Sequence, residues 1–406
     1  MIDVMMTTLL SADAWKYLSI PLAAAFVGWL TNWIAIQLTF YPLEFIGKPP
    51  FLGWQGIIPA KVEKMASIVV DQTLSKLGTL DEFFQEMEPD KISHHLNQFM
   101  DERLEAYTDE VMRDKNEVLW SNLPLAIKQR FYARTRKQLP KITKALVADI
   151  GSHIEELVDL KHMIVSQMSN DKELMNRVFY EVGQREFNFV IRSGAVFGGL
   201  FGLIQMTVWI FFQDYWILPA FGLLVGLATN WIALNIIFRP LHPIKVGPFE
   251  IQGLFLKRQQ EVSSTFCTLV TQEVLTIQRI VEEMMHGPRQ DRTKILIKKH
   301  LKPIIDAASV RTLAQLTVGL SGYAKLKHTL EDKAIEVSTE PFENKKFNQE
   351  RAEVVAELFE DRMSQLSPLE FQELLRPAFQ EDEWILISMG GLLGALAGIA
   401  QLVFMF

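Results

Sequence analysis

Two residue pairs have the spacing that helical metal sites use: Asp159-x-x-His162 and Glu283-x-x-His286. An acid and a histidine three residues apart project from one helix face, and di-iron bundles combine several such pairs. Neither pair has a counterpart elsewhere in the chain, and a di-iron site needs more ligands than either supplies, so both are expected to be solvated surface groups. The adjacent His94 and His95 cannot share a helix face. Cys267 is the single cysteine, which excludes an intramolecular disulfide and a cysteine-rich metal site. It sits in an amphipathic pattern that suits a buried thiol rather than a nucleophile. No phosphate loop, dinucleotide fingerprint or nucleophile elbow occurs. The sequence therefore predicts no catalytic residue, no metal and no cofactor, and the chain is expected not to be an enzyme.

The polar residues that remain are amides inside apolar stretches. Asn32 and Asn230 lie eight residues from one end of their stretches, roughly 12 Å deep at helical rise. Gln205 and Gln401 lie eleven residues in, roughly 17 Å deep. Those depths predict that the amides meet across helices. Gln37 and Asn235 form a second matched pair nearer the end. Such groups act either as interhelical hydrogen-bond glue, worth about 0.6–2 kcal/mol per contact, or as a polar path for a solute or lipid headgroup. Glue is the expected role, because glycine-rich helices packed closely leave little room for a pore.

The stretches that hold them run over 17–40, 194–213, 216–238 and 384–406, each 20 to 24 residues long and free of charge. A helix of that length spans roughly 30–36 Å, enough to cross a hydrocarbon core. Trp15, Trp209, Trp216 and Trp384 fall at or near their ends, where aromatic belts form. A soluble helix rarely stays apolar on every face for so long. The first stretch is expected to be retained rather than cleaved, since it lacks a basic leader and a small-residue cleavage site. A net charge of -7 argues against a nucleic-acid partner, leaving the lipid bilayer as the expected partner.

Residues 21–35 match residues 219–233 at an offset of 198, with Thr31-Asn32-Trp33-Ile34-Ala35 repeated as Thr229-Asn230-Trp231-Ile232-Ala233. The match runs on through Pro42-Leu43 and Pro240-Leu241. Gly194, Gly198, Gly202 and Gln205 match Gly390, Gly394, Gly398 and Gln401 at an offset of 196. The chain is therefore expected to be a duplication: unit 1–213 (membrane helix 17–40, helical arm 44–192, membrane helix 194–213) and unit 214–406 (216–238, arm 242–383, 384–406). An even number of crossings per unit makes the copies parallel, with both arms on one side. Small residues form a stripe on each odd helix, Ala24, Gly28, Asn32 and Ala35 against Gly222, Gly226, Asn230 and Ala233. With the GxxxG series on the even helices they predict a close four-helix contact.

Lys48, Lys61, Lys64, Arg185, Arg192, Arg239, Lys245, Lys257 and Arg258 flank the helices on the arm side. This predicts cytoplasmic arms and termini on the outer face. After each odd helix, the segments from Pro42 through Gly56, Pro59 and Lys61, and from Pro240 through Gly253, Lys257 and Arg258, are broken by proline and glycine. They suit either a segment lying at the headgroups or a turn packed against its own arm. The arms read as amphipathic helices in bundles or extended coils, with apolar residues such as Ile277, Ile280, Val281 and Met284 at helical spacing. Proline breaks are expected at Pro89, Pro124, Pro140, Pro288, Pro303, Pro341 and Pro368, and a solvated loop at Lys345-Lys346. Strand signals are scarce.

Gly-x-x-Thr-Asn-Trp-Ile-Ala, Phe-x-Pro-Leu and the glycine–apolar–basic turn resemble domain of unknown function 445, the YheB-like membrane proteins. The likeness is strong over residues 21–65, 219–262, 194–205 and 390–401 and diffuse in the arms. Gly56-Ile-Ile-Pro59-Ala-Lys61 fits that family's turn loosely, and the second copy has Leu256 in place of its proline. The resemblance implies a bacterial cytoplasmic membrane location and no established activity. The expected function is a non-enzymatic membrane-anchored scaffold whose arms hold a protein partner or a second copy. The alternative is a lipid or small-solute transporter using the arms or the repeated amides as a conduit.

Overall fold

The computed structural model describes residues 14–48, 52–306, 323–380 and 383–405. Expectations that involve Pro50, Phe51, residues 381–382, Phe406 or the side chain of Trp15 lie outside what it describes. Helix dominates the described residues, with two short antiparallel hairpins. The main helices are α1 (Ala14–Phe40), α2 (Pro89–Ser121), α3 (Leu125–Ser152), α4 (Leu160–Asn170), α5 (Lys172–Phe211), α6 (Ile217–Phe238), α7 (Ile277–His286), α8 (Gln290–Ile305), α9 (Lys345–Ser364), α10 (Pro368–Gln380) and α11 (Glu383–Met405). The hairpins are β1 (Ile46–Lys48) with β2 (Leu52–Trp54), and β3 (Ile244–Val246) with β4 (Phe249–Ile251). The chain divides into two compact units, residues 1–74, 168–266 and 362–406 in one and residues 75–167 and 267–361 in the other.

The first unit contains α1, α5, α6 and α11, the helices long and apolar enough to cross a membrane. α1 lies against α5 and α6 against α11, and α5–α6 and α1–α11 contacts close the ring. The apolar residues face outward: Leu18, Leu22, Phe26, Trp29 and Trp33 follow one stripe of α1 and are all exposed. Leu392, Leu396, Ile399 and Val403 do the same on α11. Large apolar side chains outside and small or polar ones inside are what lipid selects, because no hydrophobic force drives helices together there. The molecule is an all-α membrane protein.

Two features of this unit differ from the sequence expectations. α5 continues without a break from Lys172 to Phe211, so the glycine series at 194 falls inside a 40-residue helix rather than opening one. Nothing in 172–193 breaks it: the segment lacks proline, and Asp171 caps its start by accepting from the Leu174 amide at 3.0 Å. Trp209 is not at a belt but buried with Ile20, Met206, Ile217 and Leu218, because the tight α5–α6 turn folds it inward. Trp216 and Trp384 are exposed.

The second unit is a helical bundle in which α2 and α3 pair, and α8 packs on α3 and α7. Thr79 and Thr276 cap the helices Leu80–Glu86 and Ile277–His286, the first in a capping box with Glu82. Trp120 is fully buried with Val111, Met112, Tyr132 and Leu326. Pro89, Pro124, Pro288, Pro341 and Pro368 fall at helix boundaries or turns, but Pro140 and Pro303 lie inside α3 and α8. Pro140 sits on an exposed face of α3, where water can satisfy the Arg136 carbonyl that proline leaves without a donor. Lys345-Lys346 is not a loop: it opens α9, and Asn344 Oδ1 accepts from the Phe347 amide at 3.1 Å.

Candidate functional site: paired helix clamps and apolar chambers

The repeated motifs sit where helix backbones nearly touch. A Cβ added at Gly28 would collide with the Gly194 carbonyl, and one at Gly198 with the Ala24 carbonyl. In the other pair, Gly226 meets Gly390 and Gly222 meets Gly394 in the same way, and Gly398 lies on Leu218. Gly202 approaches Pro21 and Ala24, with a Cβ only 2.7 Å from each. Glycine is required at these positions because backbone stands where a side chain would go.

Each contact is fastened by an asparagine. Asn32 Nδ2 donates to the Val190 carbonyl at 2.7 Å, and Asn230 Nδ2 donates to the Leu386 carbonyl at 2.8 Å. Thr31 and Thr229 are buried beside them and donate to the Gly28 and Gly226 carbonyls of their own helices at 3.2 and 3.3 Å. The expected amide-to-amide meeting does not occur. α5 begins at Lys172 rather than Gly194, so the level of Asn32 on α5 is Val190, and Gln205 lies about fifteen residues, roughly 22 Å, farther along. Gln205 and Gln401 instead line a void of about 20 Å³ at the centre of the ring, together with Thr31, Gly222 and Gly398. Gln401 Nε2 is buried there with no partner, as are the Asn32 and Asn230 Oδ1 atoms at the clamps. Gln37 contributes its carbonyl to the Tyr41 amide at 2.8 Å, and Asn235 Nδ2 donates to the Trp231 carbonyl at 2.8 Å. Neither reaches a second helix through these bonds.

At the collars, Pro42 and Pro240 follow cis peptide bonds. The Gly56 amide donates to the Pro42 carbonyl at 2.9 Å and the Gly253 amide to the Pro240 carbonyl at 3.0 Å. Both glycines let the returning chain cross the helix end, since a Cβ on either would lie within 3 Å of backbone. Ile57, Ile58 and Pro59 are buried in the short helix Ile57–Ala60, whereas Ile46, Ile244 and Ile251 on the hairpins, and Phe45 just before β1, are exposed. Each collar thus combines a packed turn with an exposed apolar tip. The strands escape detection because three residues are too short to show alternation. Arg258 donates to Glu186 at 2.6 Å and to Glu261 at 3.0 Å, while Lys257 is exposed. Lys61 stands at the start of the helix Val62–Ile68 and makes no side-chain cap there.

In the second unit the residues with metal-site spacing do meet, though not as ligands. His162 Nδ1 lies 3.0 Å from Glu283 Oε1, and Arg289 lies 3.5 Å from Asp159. Glu283 is buried rather than a surface group, and that burial raises its carboxyl above the usual range against the opposing pull of His162. His286 is exposed. Among the described residues no group of three or more histidine, cysteine or acidic side chains could hold a metal ion. His95 stacks on Phe347 and its Nε2 lies 2.7 Å from the Pro341 carbonyl. Burial pushes the Cys267 thiol up to about 12, which leaves it without thiolate at neutral pH. Asp149, held by Lys299 and then His300 at 2.8 Å each, is lowered to about 2.

Sequence reasoning missed two adjoining apolar chambers in this unit, of about 140 and 130 Å³. They share a wall made by Met100, Leu139, Leu301, Ala334 and Val337. Each is about the size of a cavity that stays dry in water and admits a six-carbon ring. The helical spacing of Ile277, Ile280, Val281 and Met284, all in the second chamber's wall, marks them as inward-facing but carries no information about the volume they leave.

The fold and its outward apolar faces define a helical membrane protein. Over 167 residues the chain is 26% identical to a UPF0754 membrane protein of Microcystis aeruginosa (strain NIES-843 / IAM M-2473). The match covers 41% of this chain and 35% of that protein, so it spans about a third of the relative's length. No protein-family model matches the chain, and no solved structure matches it.

Proposed function

We propose that the protein is a non-enzymatic scaffold anchored in a bacterial cytoplasmic membrane. In this reading the chain arose by duplication and belongs with the domain of unknown function 445 proteins that its motifs resemble. Its parallel copies send both arms to the cytoplasm and both termini outward, and the arms hold a protein partner or a second copy. One observation carries the anchoring role: the paired clamps, Gly28–Gly194 with Asn32 and Gly226–Gly390 with Asn230, close the helices around a void of only about 20 Å³. That volume holds about one water, and a bundle so closed serves as an anchor better than as a conduit.

The test substitutes alanine at Thr31, Asn32, Thr229 and Asn230 together. Loss of folded protein or of assembly supports the anchor, and a well-folded variant with altered solute flux overturns it. For orientation, single cysteines at exposed Glu102 and Asp291, in a chain whose Cys267 is replaced by serine, should both react with a membrane-impermeant maleimide only after the cytoplasmic face is opened. Reaction of the two from opposite faces ends the parallel-copy reading. The alternative, a lipid or small-solute transporter, has one observation in its favour, the apolar chambers of the second unit.

A further inference from the structure

The chambers contain one group that packing alone leaves unexplained. Of the hydroxyls lining the second chamber, Thr143 Oγ1 donates to the Leu139 carbonyl at 3.1 Å and Ser338 Oγ to the Ile335 carbonyl at 2.7 Å. Thr293 Oγ1 is fully buried and has no partner. A buried hydroxyl in a dry, apolar wall is strongly unfavourable unless something accepts its proton. Among the described residues lining this chamber no side chain is charged, which favours an uncharged acceptor over a carboxylate. The rest of the wall offers only hydrocarbon and thioether, including Met87, Met100, Met284 and Met285, whose flexible side chains adapt to irregular apolar guests. Past the shared wall the first chamber continues toward Lys333, the single charged side chain among its described lining residues, which is held by Glu110 at 2.7 Å and Glu336 at 3.2 Å.

We propose that the two chambers form one binding site for a fatty acyl group, its uncharged carbonyl accepting from Thr293 and its chain running past Leu139 and Leu301 toward Lys333. A membrane-embedded protein has acyl groups at hand, and two adjoining chambers of about 140 and 130 Å³ suit one acyl chain better than a two-chain lipid. The site goes beyond the anchoring role and is independent of it, since the clamps contribute none of its walls.

The test uses the full-length protein in its membranes, photolabelled with a diazirine-bearing methyl palmitate, whose ester carbonyl is uncharged, and mapped by mass spectrometry. Labelling of peptides containing Met100, Leu139 or Leu301, saturating at one per chain and displaced by methyl oleate, is expected. Label confined to the membrane helices overturns the proposal, and so does displacement by hexadecane as effective as that by methyl oleate, because the carbonyl would then be irrelevant. Leu139→Trp fills the junction and should cut labelling at least tenfold. If that variant fails to fold, as judged by circular dichroism, Ala334→Met serves in its place, and unchanged labelling in a folded variant overturns the site. Thr293→Val should weaken labelling about fivefold, the loss of one hydrogen bond, while raising the melting temperature of the unlabelled protein. A packing void without a guest gives the second effect and not the first.

Discussion

Around Gly28 and Gly194 two backbones come so close that a methyl group has no room, and around Leu139 and Leu301 large side chains meet and leave two chambers. The first arrangement belongs to the unit whose outside is apolar, the second to the unit that buries its apolar residues in the ordinary way. In lipid, helices gain nothing by hiding leucine, so contact comes from small residues and polar fasteners. In water, burial itself drives assembly, and bulky side chains drawn inward by it need not fill the space they enclose. One chain thus shows that the driving force selects residue size, and residue size decides where voids remain.

The sharpest way to break this contrast is to enlarge a small residue in each unit. Gly28→Leu places a side chain into the Gly194 carbonyl and should destabilise the α1–α5 pair by about 3 kcal/mol or more, read as loss of folded protein in detergent unfolding assays. Gly199→Ala is the control, since its Cβ would meet only Ala25 Cβ at 3.5 Å, and no change beyond about 0.5 kcal/mol is expected. Ala334→Leu in the chamber wall should be neutral or stabilising, because its atoms enter existing space. If Ala334→Leu is as harmful as Gly28→Leu, the chambers are not open in solution.

Removing volume should reverse the ranking. Leu139→Ala enlarges both chambers at once and should cost about 2–3 kcal/mol in thermal or chemical unfolding. Asn32→Ala and Asn230→Ala each delete one bond to a facing carbonyl, so about 1 kcal/mol apiece is expected. Each also removes an orphaned Oδ1, which holds the loss near the lower end of that range. The two should add, because they fasten different helix pairs.

These residues also mark what the sequence could and could not reveal. Long uncharged runs, small-residue stripes and the repeated Thr-Asn-Trp-Ile-Ala are local patterns, and they identify the membrane helices and the residues at their contacts. The depth of a polar residue is not local. Counting from Gly194 placed Gln205 beside Asn32, whereas the amphipathic segment 172–193 adds about six turns to the same helix and moves the partner of Asn32 to Val190. Trp209 was misplaced for a related reason: an aromatic at a helix end is at a belt only if the following turn leaves it outside. The contact of His162 with Glu283 joins residues 121 apart, and the chambers depend on the sizes of side chains drawn from five or more helices. No spacing rule carries either.

The smallest expected effect separates two carboxylates of the second unit by sign. Asp149 is lowered to about 2, first by Lys299 and then by His300, so its ionised form is favoured in the folded protein. That contribution is fully present above about pH 4, the unfolded value, and is lost as pH falls through about 2. Asp149→Asn should therefore cost up to about 1 kcal/mol at pH 6, discounted because the Lys299 ammonium is largely exposed. The difference should vanish by pH 2. Glu283 is shifted the other way by burial, so ionising it opposes folding, and the penalty appears as pH rises through its elevated folded value and fades on acidification. Glu283→Gln keeps an acceptor for His162 and removes that penalty, so it should stabilise the protein at pH 8 and change little at pH 4. Urea unfolding of each variant across pH 2–8 checks both slopes, and slopes of the same sign would show that His162 holds Glu283 charged despite its burial.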